Sequence, residues 1–253
     1  MIVAAICRIA IIALMESPAV STVQDLLSAL EPMRFAPPIA CVYNPLEYAR
    51  QPYEDYLRRY GSGRKEILMV GMNPGPWGMA QTGVPFGEIR AVTEWMNIRA
   101  AISQPRILHP KRPVLGFACA RSEVSGKRLW GWARNRFGSP GRFFSRFFVV
   151  NYCPLMFMDA QGKNITPDKL PSGEQKNLFA ACDRALAQIA VALQPRFVFG
   201  IGAFAANRVR SALAGSTAVL SQITHPSPAN PKANKGWEAL AEKELTAAGV
   251  LLG

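Results

Sequence analysis

Hydrophobic positions in this chain fall into two recurring patterns. Short apolar runs occur at Ile67-Leu68-Met69-Val70, Phe147–Tyr152, Arg196–Gly200 and Ala218–Ile223. They are too short for helices and predict strands; Ile67–Val70, apolar on both faces, and Arg196–Gly200 read as buried in a parallel sheet. Around them, apolar residues recur at helical spacing over Val20–Leu30, Leu46–Tyr60, Ala91–Ala101, Gly173–Leu193, Ala203–Leu213 and Asn234–Ala248. Arg58 and Arg59 followed by Gly61 mark the end of the second of these. Strand and helix in alternation predict an α/β fold with a central, mostly parallel four-stranded sheet flanked by helices on both faces. The Pro-rich stretch Met33–Pro45 is expected to run extended over the surface, and Gln104–Val114 is expected as Pro-broken loop. Leu115–Ser125 reads as a strand or an irregular segment, and Ile165–Pro171 as loop with a short turn at Thr166-Pro167-Asp168.

The stretch that organises the chain is Glu66–Glu88, EILMVGMNPGPWGMAQTGVPFGE. Its strand runs into Asn73, Pro74, Gly75, Pro76, Gly78, Gly83, Pro85 and Gly87, a density of Gly and Pro that predicts a rigid, irregular loop able to approach a ligand closely. A helical pattern resumes at Glu88 and extends to about Ser103. A purely structural connection is usually much shorter. In open α/β sheets ligands sit at the carboxyl ends of the strands. Asn73, Asn151 and His225 all fall at predicted carboxyl ends, so one edge of the sheet collects them.

Composition narrows the partners. The 253 residues suit one α/β domain over 20–253, behind an extension over 1–19 that reads as an extra helix or a misplaced start. The net charge of +12 points to an anionic partner, nucleic acid first and an acidic membrane surface second. Lys127–Arg146 is basic without an acid and interleaves Trp130, Trp132, Phe137, Phe143 and Phe144. Its aromatics read as core; its cations, Arg134, Arg136 and Arg142 among them, read as phosphate contacts. Five scattered cysteines without a CxxC or CxH pair argue against a metal site and fit reduced thiols in the cytoplasm. Met1–Leu14 is too short to span a membrane and lacks the basic start of a signal peptide, so no membrane partner is expected. No repeat or heptad argues against a monomer.

The candidate chemistry rests on amides and one imidazole. No acid lies between Glu66 and Glu88, and Asn73 stands where a water-activating base would be sought. An amide cannot take a proton at neutral pH but can orient and polarise a water. That suits a reaction in which the leaving group departs first, such as N-glycosidic cleavage. Asn151 presents a donor and an acceptor side by side, matching the N3–H and O4 of uracil. Phe86 is placed to stack on a flat base. His225 is a natural donor to a developing oxyanion, whereas His109, in a Pro-rich loop, reads as a surface residue.

Three motifs in order, GMNPGPWGMAQTGVPFGE (71–88), NYCPLMF (151–157) and HPSPANPKANKGW (225–237), closely resemble the single-strand-selective monofunctional uracil-DNA glycosylase family. The resemblance runs from about Leu46 to the C-terminus. It implies a uracil-DNA glycosylase-like three-layer sandwich and a base-excision repair enzyme for uracil and 5-substituted uracils such as 5-hydroxymethyluracil. The product would be an abasic site without strand cleavage, with no cofactor required, and the enzyme would sit at the nucleoid in a bacterium or in the nucleus of a eukaryote. It assigns water positioning to Asn73, backbone contacts to the base to Met72 and Gly75, stacking to Phe86, edge reading to Asn151 and stabilisation of the departing uracil anion to His225. Pro226–Lys235 would be the wedge that enters DNA, with Pro226, Ser227, Pro228, Ala229, Asn230, Lys232 and Lys235 as DNA contacts. The family's wedge typically carries arginine after the second proline, where this chain has Ala229. A methyl cannot fill the gap left by a flipped base, so single-stranded or mispaired DNA is the expected substrate. The rival from another class is a non-catalytic binder of single-stranded or damaged DNA. A small-molecule α/β hydrolase ranks last, because no GxSxG elbow is present.

Overall fold

In a computed structural model that describes residues 18–252, the chain folds around a four-stranded, wholly parallel sheet of β2 (Ile67–Gly71), β3 (Phe147–Asn151), β6 (Phe197–Ile201) and β7 (Val219–Ile223), in the order β3-β2-β6-β7. Every residue of β2 and β6 is buried, as their unbroken apolar runs require. The expected extension over 1–19 lies outside the described residues except for its last two positions.

Register shows how the two faces are covered. Phe147, Ile67 and Phe197 are aligned across three strands, and Phe147 meets Trp132 and Phe137 of α5 (Val124–Phe137). Trp132 in turn meets Trp237 of α10 (Trp237–Ala247). Gly200 points to the opposite face, where its lack of a side chain admits the backbone of Ala205 and Ala206 in α8 (Ala203–Ala212). Behind α8 lies α7 (Ser172–Leu193), and α1 (Pro18–Leu30) rests on α7.

A second, antiparallel sheet was not legible in the sequence. β1 (Cys41–Tyr43), β4 (Met156–Met158) and β5 (Asn164–Ile165) pair in the order β1-β4-β5. The Pro-rich stretch 33–45 therefore contributes a strand with Cys41 and Tyr43 buried, rather than a surface connection throughout.

The expected helix over 46–60 is two helices, α2 (Pro45–Tyr48) and α3 (Arg50–Tyr60). Pro52 has no N–H for the carbonyl of Tyr48, which accepts instead from Ser103 N at 2.8 Å. The Gly/Pro loop holds one helical turn, α4 (Met79–Thr82). The helix expected to run to about Ser103 is a π-helical turn, Ala91–Trp95, ended by Asn97 at φ 54°. α6 (Pro140–Phe144) precedes β3, a 3-10 turn covers Pro167–Lys169, and the closing segment splits into α9 (Pro231–Asn234) and α10. Among the described residues no helix is long and apolar enough to cross a membrane.

β3 is an edge strand, and α3 covers it: fully buried Tyr56 stacks on Phe148 at 5.1 Å and donates its hydroxyl to the Val149 carbonyl at 2.9 Å. Tyr56→Phe leaves that buried carbonyl without its partner. It is expected to lower unfolding free energy by roughly 1–3 kcal/mol in urea titration, with the m-value unchanged.

Candidate active site

The site grows from the carboxyl ends of β2 and β3. Beyond the last paired residues the ladder continues into the loops: Tyr152 N donates to Gly71 O and Cys153 N to Met72 O, both at 2.9 Å. Asn73 follows, its Nδ2 donating to Leu155 O at 3.2 Å. The amide donor is thus tied back to the second loop, and Oδ1 is left as the acceptor for a water.

Asn151 closes β3 opposite Gly71. A Cβ at Gly71 would overlap both Asn151 Oδ1 and the Phe86 ring, so glycine there lets the two side chains share one space. Asn151 Nδ2 donates to Met79 Sδ at 3.1 Å, a weak acceptor that a base oxygen can replace. Phe86 has φ 53°, an uncommon conformation for a bulky residue. It is held by two donors to its carbonyl, Trp130 Nε1 at 3.0 Å and Glu88 N at 2.7 Å.

His225 stands two residues beyond β7, its ring 6.0 Å from that of Phe86. Ser227 N donates to His225 Nδ1 at 3.0 Å, which makes Nδ1 the acceptor and places the proton of the neutral ring on Nε2. Burial pushes the imidazole down to about 4, so it is neutral at physiological pH and offers Nε2–H as a donor. Among the described residues no three His, Cys, Asp or Glu side chains converge as a metal site would need.

Residues 58–246 match the model of the Uracil DNA glycosylase superfamily. The chain is 47% identical over 224 residues to the "Single-strand selective monofunctional uracil-DNA glycosylase" of Rattus norvegicus, covering 88% of this chain and 81% of that protein. The Mus musculus protein of the same description is 46% identical, with 88% and 80% covered. The chain belongs to the single-strand-selective monofunctional uracil-DNA glycosylase family. The crystal structure of wild-type Pedobacter heparinus SMUG2 shares the fold, with TM-score 0.63 at 17% identity over 89% of this chain and 96% of that one.

In this glycosylase the segment assigned to the wedge is tightly knit. Asn230 N donates to Ser227 O, Asn234 Nδ2 to Pro228 O, and Asn230 Oδ1 caps α9 by accepting from Lys232 N. Pro226 is buried, while Pro228, Ala229, Lys232 and Lys235 are exposed, with Ala229 beside the turn's outermost proline. The brace comes from outside the motif. Arg128 Nη1 donates to Pro226 O at 3.0 Å and to Ser227 O at 3.4 Å, and Nη2 to Asn234 Oδ1 at 2.8 Å. Nothing local in the sequence distinguishes Arg128 from its basic neighbours.

The other expected phosphate contacts are not gathered here. α5 starts beside the site, where Trp130 reaches Phe86, and runs toward the opposite edge of the sheet, where Phe137 meets Phe147 at the start of β3. Arg134 and Arg136 lie in its last turn and Arg142 in α6, away from Asn73, Asn151 and His225. Arg136 also pairs with Glu242 at 3.8 Å. The aromatics are core as expected: Trp130, Trp132, Phe143 and Phe144 are buried.

His109 is 4% exposed, not a surface residue: its backbone N–H donates to Tyr43 Oη at 2.9 Å, and Nε2 donates to Asp159 O at 3.0 Å while Nδ1 accepts from Lys111 N. The Gly/Pro loop, acid-free in sequence, is backed by an acid from elsewhere. The Glu123 carboxylate lies against Gly75 and Gly78, takes the N–H groups of Trp77 and Ser125, and is pushed up by burial. A side chain at Gly75 would collide with it.

Arg128→Ala removes charged hydrogen bonds from the wedge. It is expected to slow uracil release from duplex DNA about tenfold or more. Release from single strands, which needs no wedge, should fall less; equal losses on both would show that Arg128 acts elsewhere.

Proposed function

We propose that this chain hydrolyses the N-glycosidic bond of uracil and 5-substituted uracils such as 5-hydroxymethyluracil in single-stranded or mispaired DNA. By family it is a monofunctional uracil-DNA glycosylase, a hydrolase of N-glycosyl bonds in DNA repair, and DNA is its partner. The flipped base stacks on Phe86, with Met72 and Gly75 backbone against its edge. Asn151 Oδ1 accepts N3–H and Nδ2 donates to O4. As the C1′–N1 bond breaks, its electron pair moves into the base, and His225 Nε2–H donates to O2. Asn73 Oδ1 holds the water that adds to C1′ of the resulting oxocarbenium-like sugar, the water losing a proton to solvent or base. The observation that carries this reading is the Ser227 N–H on His225 Nδ1, which fixes a neutral donor beside the stacking ring.

A neutral donor suits this task. Stabilising an anion from a preorganised N–H needs no proton transfer and no reorganisation. The chain acts as a monomer of one domain over 20–253, where the DNA is, at a nucleoid or in a nucleus. The exposed Ala229 supports a preference for unpaired or weakly paired uracil, since flipping costs a few kcal/mol and least where pairing is already lost.

Oligonucleotides with one uracil, as single strand, as U·G and as U·A, test the reading after alkaline cleavage. Release is expected from the first two with little from U·A. Asn73→Ala should bind the same DNA and lose roughly 10²–10⁴-fold in release. Binding without any release by the wild type would favour the non-catalytic binder instead. The pH dependence follows from His225. Its folded value is depressed to about 4, so single-turnover release should not fall as pH drops through the usual histidine range, and should fall only near pH 4. Stability, by contrast, should decline from about pH 6.5 downward, because the unfolded chain takes the proton first.

A further inference from the structure

We infer that residues 106–121 form a second DNA-contact surface, a rigid basic strip beside the catalytic loop that takes the phosphates of nucleotides flanking the flipped one. This rests on the glycosylase reading above. Between Glu94 and Glu123 the chain has no acid and five cations, Arg99, Arg106, Lys111, Arg112 and Arg121. All except Arg112 are exposed, and Arg112 is half-buried.

Two of these cations are tied to the catalytic loop. The guanidinium of Arg121 lies 4.3 Å and that of Arg112 5.3 Å from the centroid of the Trp77 ring. Trp77 is two residues beyond Gly75, in the turn that Glu123 backs. Neither guanidinium pairs with a carboxylate among the described residues; Arg112 Nη1 donates only to the neutral Lys111 carbonyl at 3.3 Å, a weaker partner than a phosphate. The ring orders both side chains before DNA arrives. Guanidinium N–H groups match phosphate oxygens in geometry and charge.

The strip is irregular in backbone yet held from inside. Buried Gln81 of α4 donates to Pro76 O in the catalytic loop and to Pro113 O in the strip, and accepts from Leu115 N at 2.8 Å. Tyr43 donates to Arg112 O at 2.7 Å while accepting from His109 N. The strip and the catalytic loop are therefore one rigid unit, and ordering a phosphate on it needs little further loss of entropy. The exposed apolar side chains Ile107, Leu108 and Leu115 offer contacts for sugars and unpaired bases, which favours a single strand as the occupant.

The test uses the full chain and measures anisotropy of a labelled single strand, with and without one uracil, between about 50 and 200 mM KCl. Arg112→Ala and Arg121→Ala should each flatten the slope of log affinity against log salt by about 0.7, and the double variant by about twice that. Arg184→Ala, an exposed cation on α7, removes the same charge and should leave the slope at the wild-type value. Trp77→Ala should reproduce part of the loss, and Trp77→Phe less of it. Thermal melting should change little in the two arginine variants, since Arg121 is exposed and Arg112 only half-buried. A double variant with the wild-type slope on both strands overturns the strip. If the wild type releases uracil and the slope is unchanged, the strip fails and the glycosylase reading stands. If the wild type releases no base but the double variant still loses slope on the uracil-free strand, the glycosylase reading fails and the strip stands.

Discussion

The site depends on one constraint: the β2–β3 pairing does not stop where the strands stop. Two further backbone hydrogen bonds, Tyr152 to Gly71 and Cys153 to Met72, zip the first residues of the catalytic loop to the second loop, and the Asn73 amide adds a third tie at Leu155. Asn73 and Asn151 therefore share one rigid frame although they lie far apart in the chain. The missing side chain of Gly71 completes it, since that is the space into which Asn151 and Phe86 both fit. A network beneath holds the second loop as well: Tyr152 Oη donates to Asp183 at 2.8 Å and accepts from Arg208 Nε at 3.0 Å, and Arg208 also pairs with Asp183.

In the proposed mechanism the chemistry on this frame is done by neutral groups. Two amides and an imidazole kept uncharged by burial are the groups it uses, and it assigns no cation to the reacting atoms. The arrangement makes physical sense for a departing anion. A preorganised N–H dipole stabilises the charge that develops, whereas a fixed cation in the pocket would also bind the neutral ground state. Phe86, the stacking residue of that mechanism, has a strained backbone that the indole of Trp130 holds in place.

The positive charge is divided by role. Arg128 braces the wedge, Arg136 and Arg146 pair with Glu242 and Glu66, and Arg112 and Arg121 rest on Trp77 free of carboxylates. A count of basic residues along the sequence singles out 127–146, yet that stretch travels from one edge of the sheet to the other, so its cations cannot act together. The irregular segment before it is less basic per residue, but its second half is tied to the catalytic loop through Gln81 and Trp77.

Much of this was legible in the sequence because it depends on local rules. β2, β3 and β6 are short apolar runs, and burial on both faces leaves that signature whatever they pair with, whereas the edge strand β7 buries only Ile223. Asn73, Asn151 and His225 could be placed at strand ends, because the chain marks those ends with Gly, Pro and polar residues. The helix breaks at Pro52 and Asn97 were written locally as well, though the apolar spacing masked them. What tertiary structure alone decided are contacts between distant residues. β1 and β4 carry no strand signal until they pair across the fold. His109 is polar and follows a loop pattern, and is buried only because Tyr43 and Asp159 satisfy it. Glu123 and Arg128 become parts of the site only when α5 is laid beside the loops. The sequence determined the elements and the reactive groups through short-range periodicity and conformational preference; long-range hydrogen bonding and packing decided which groups meet, because those energies depend on neighbours that the local sequence does not name.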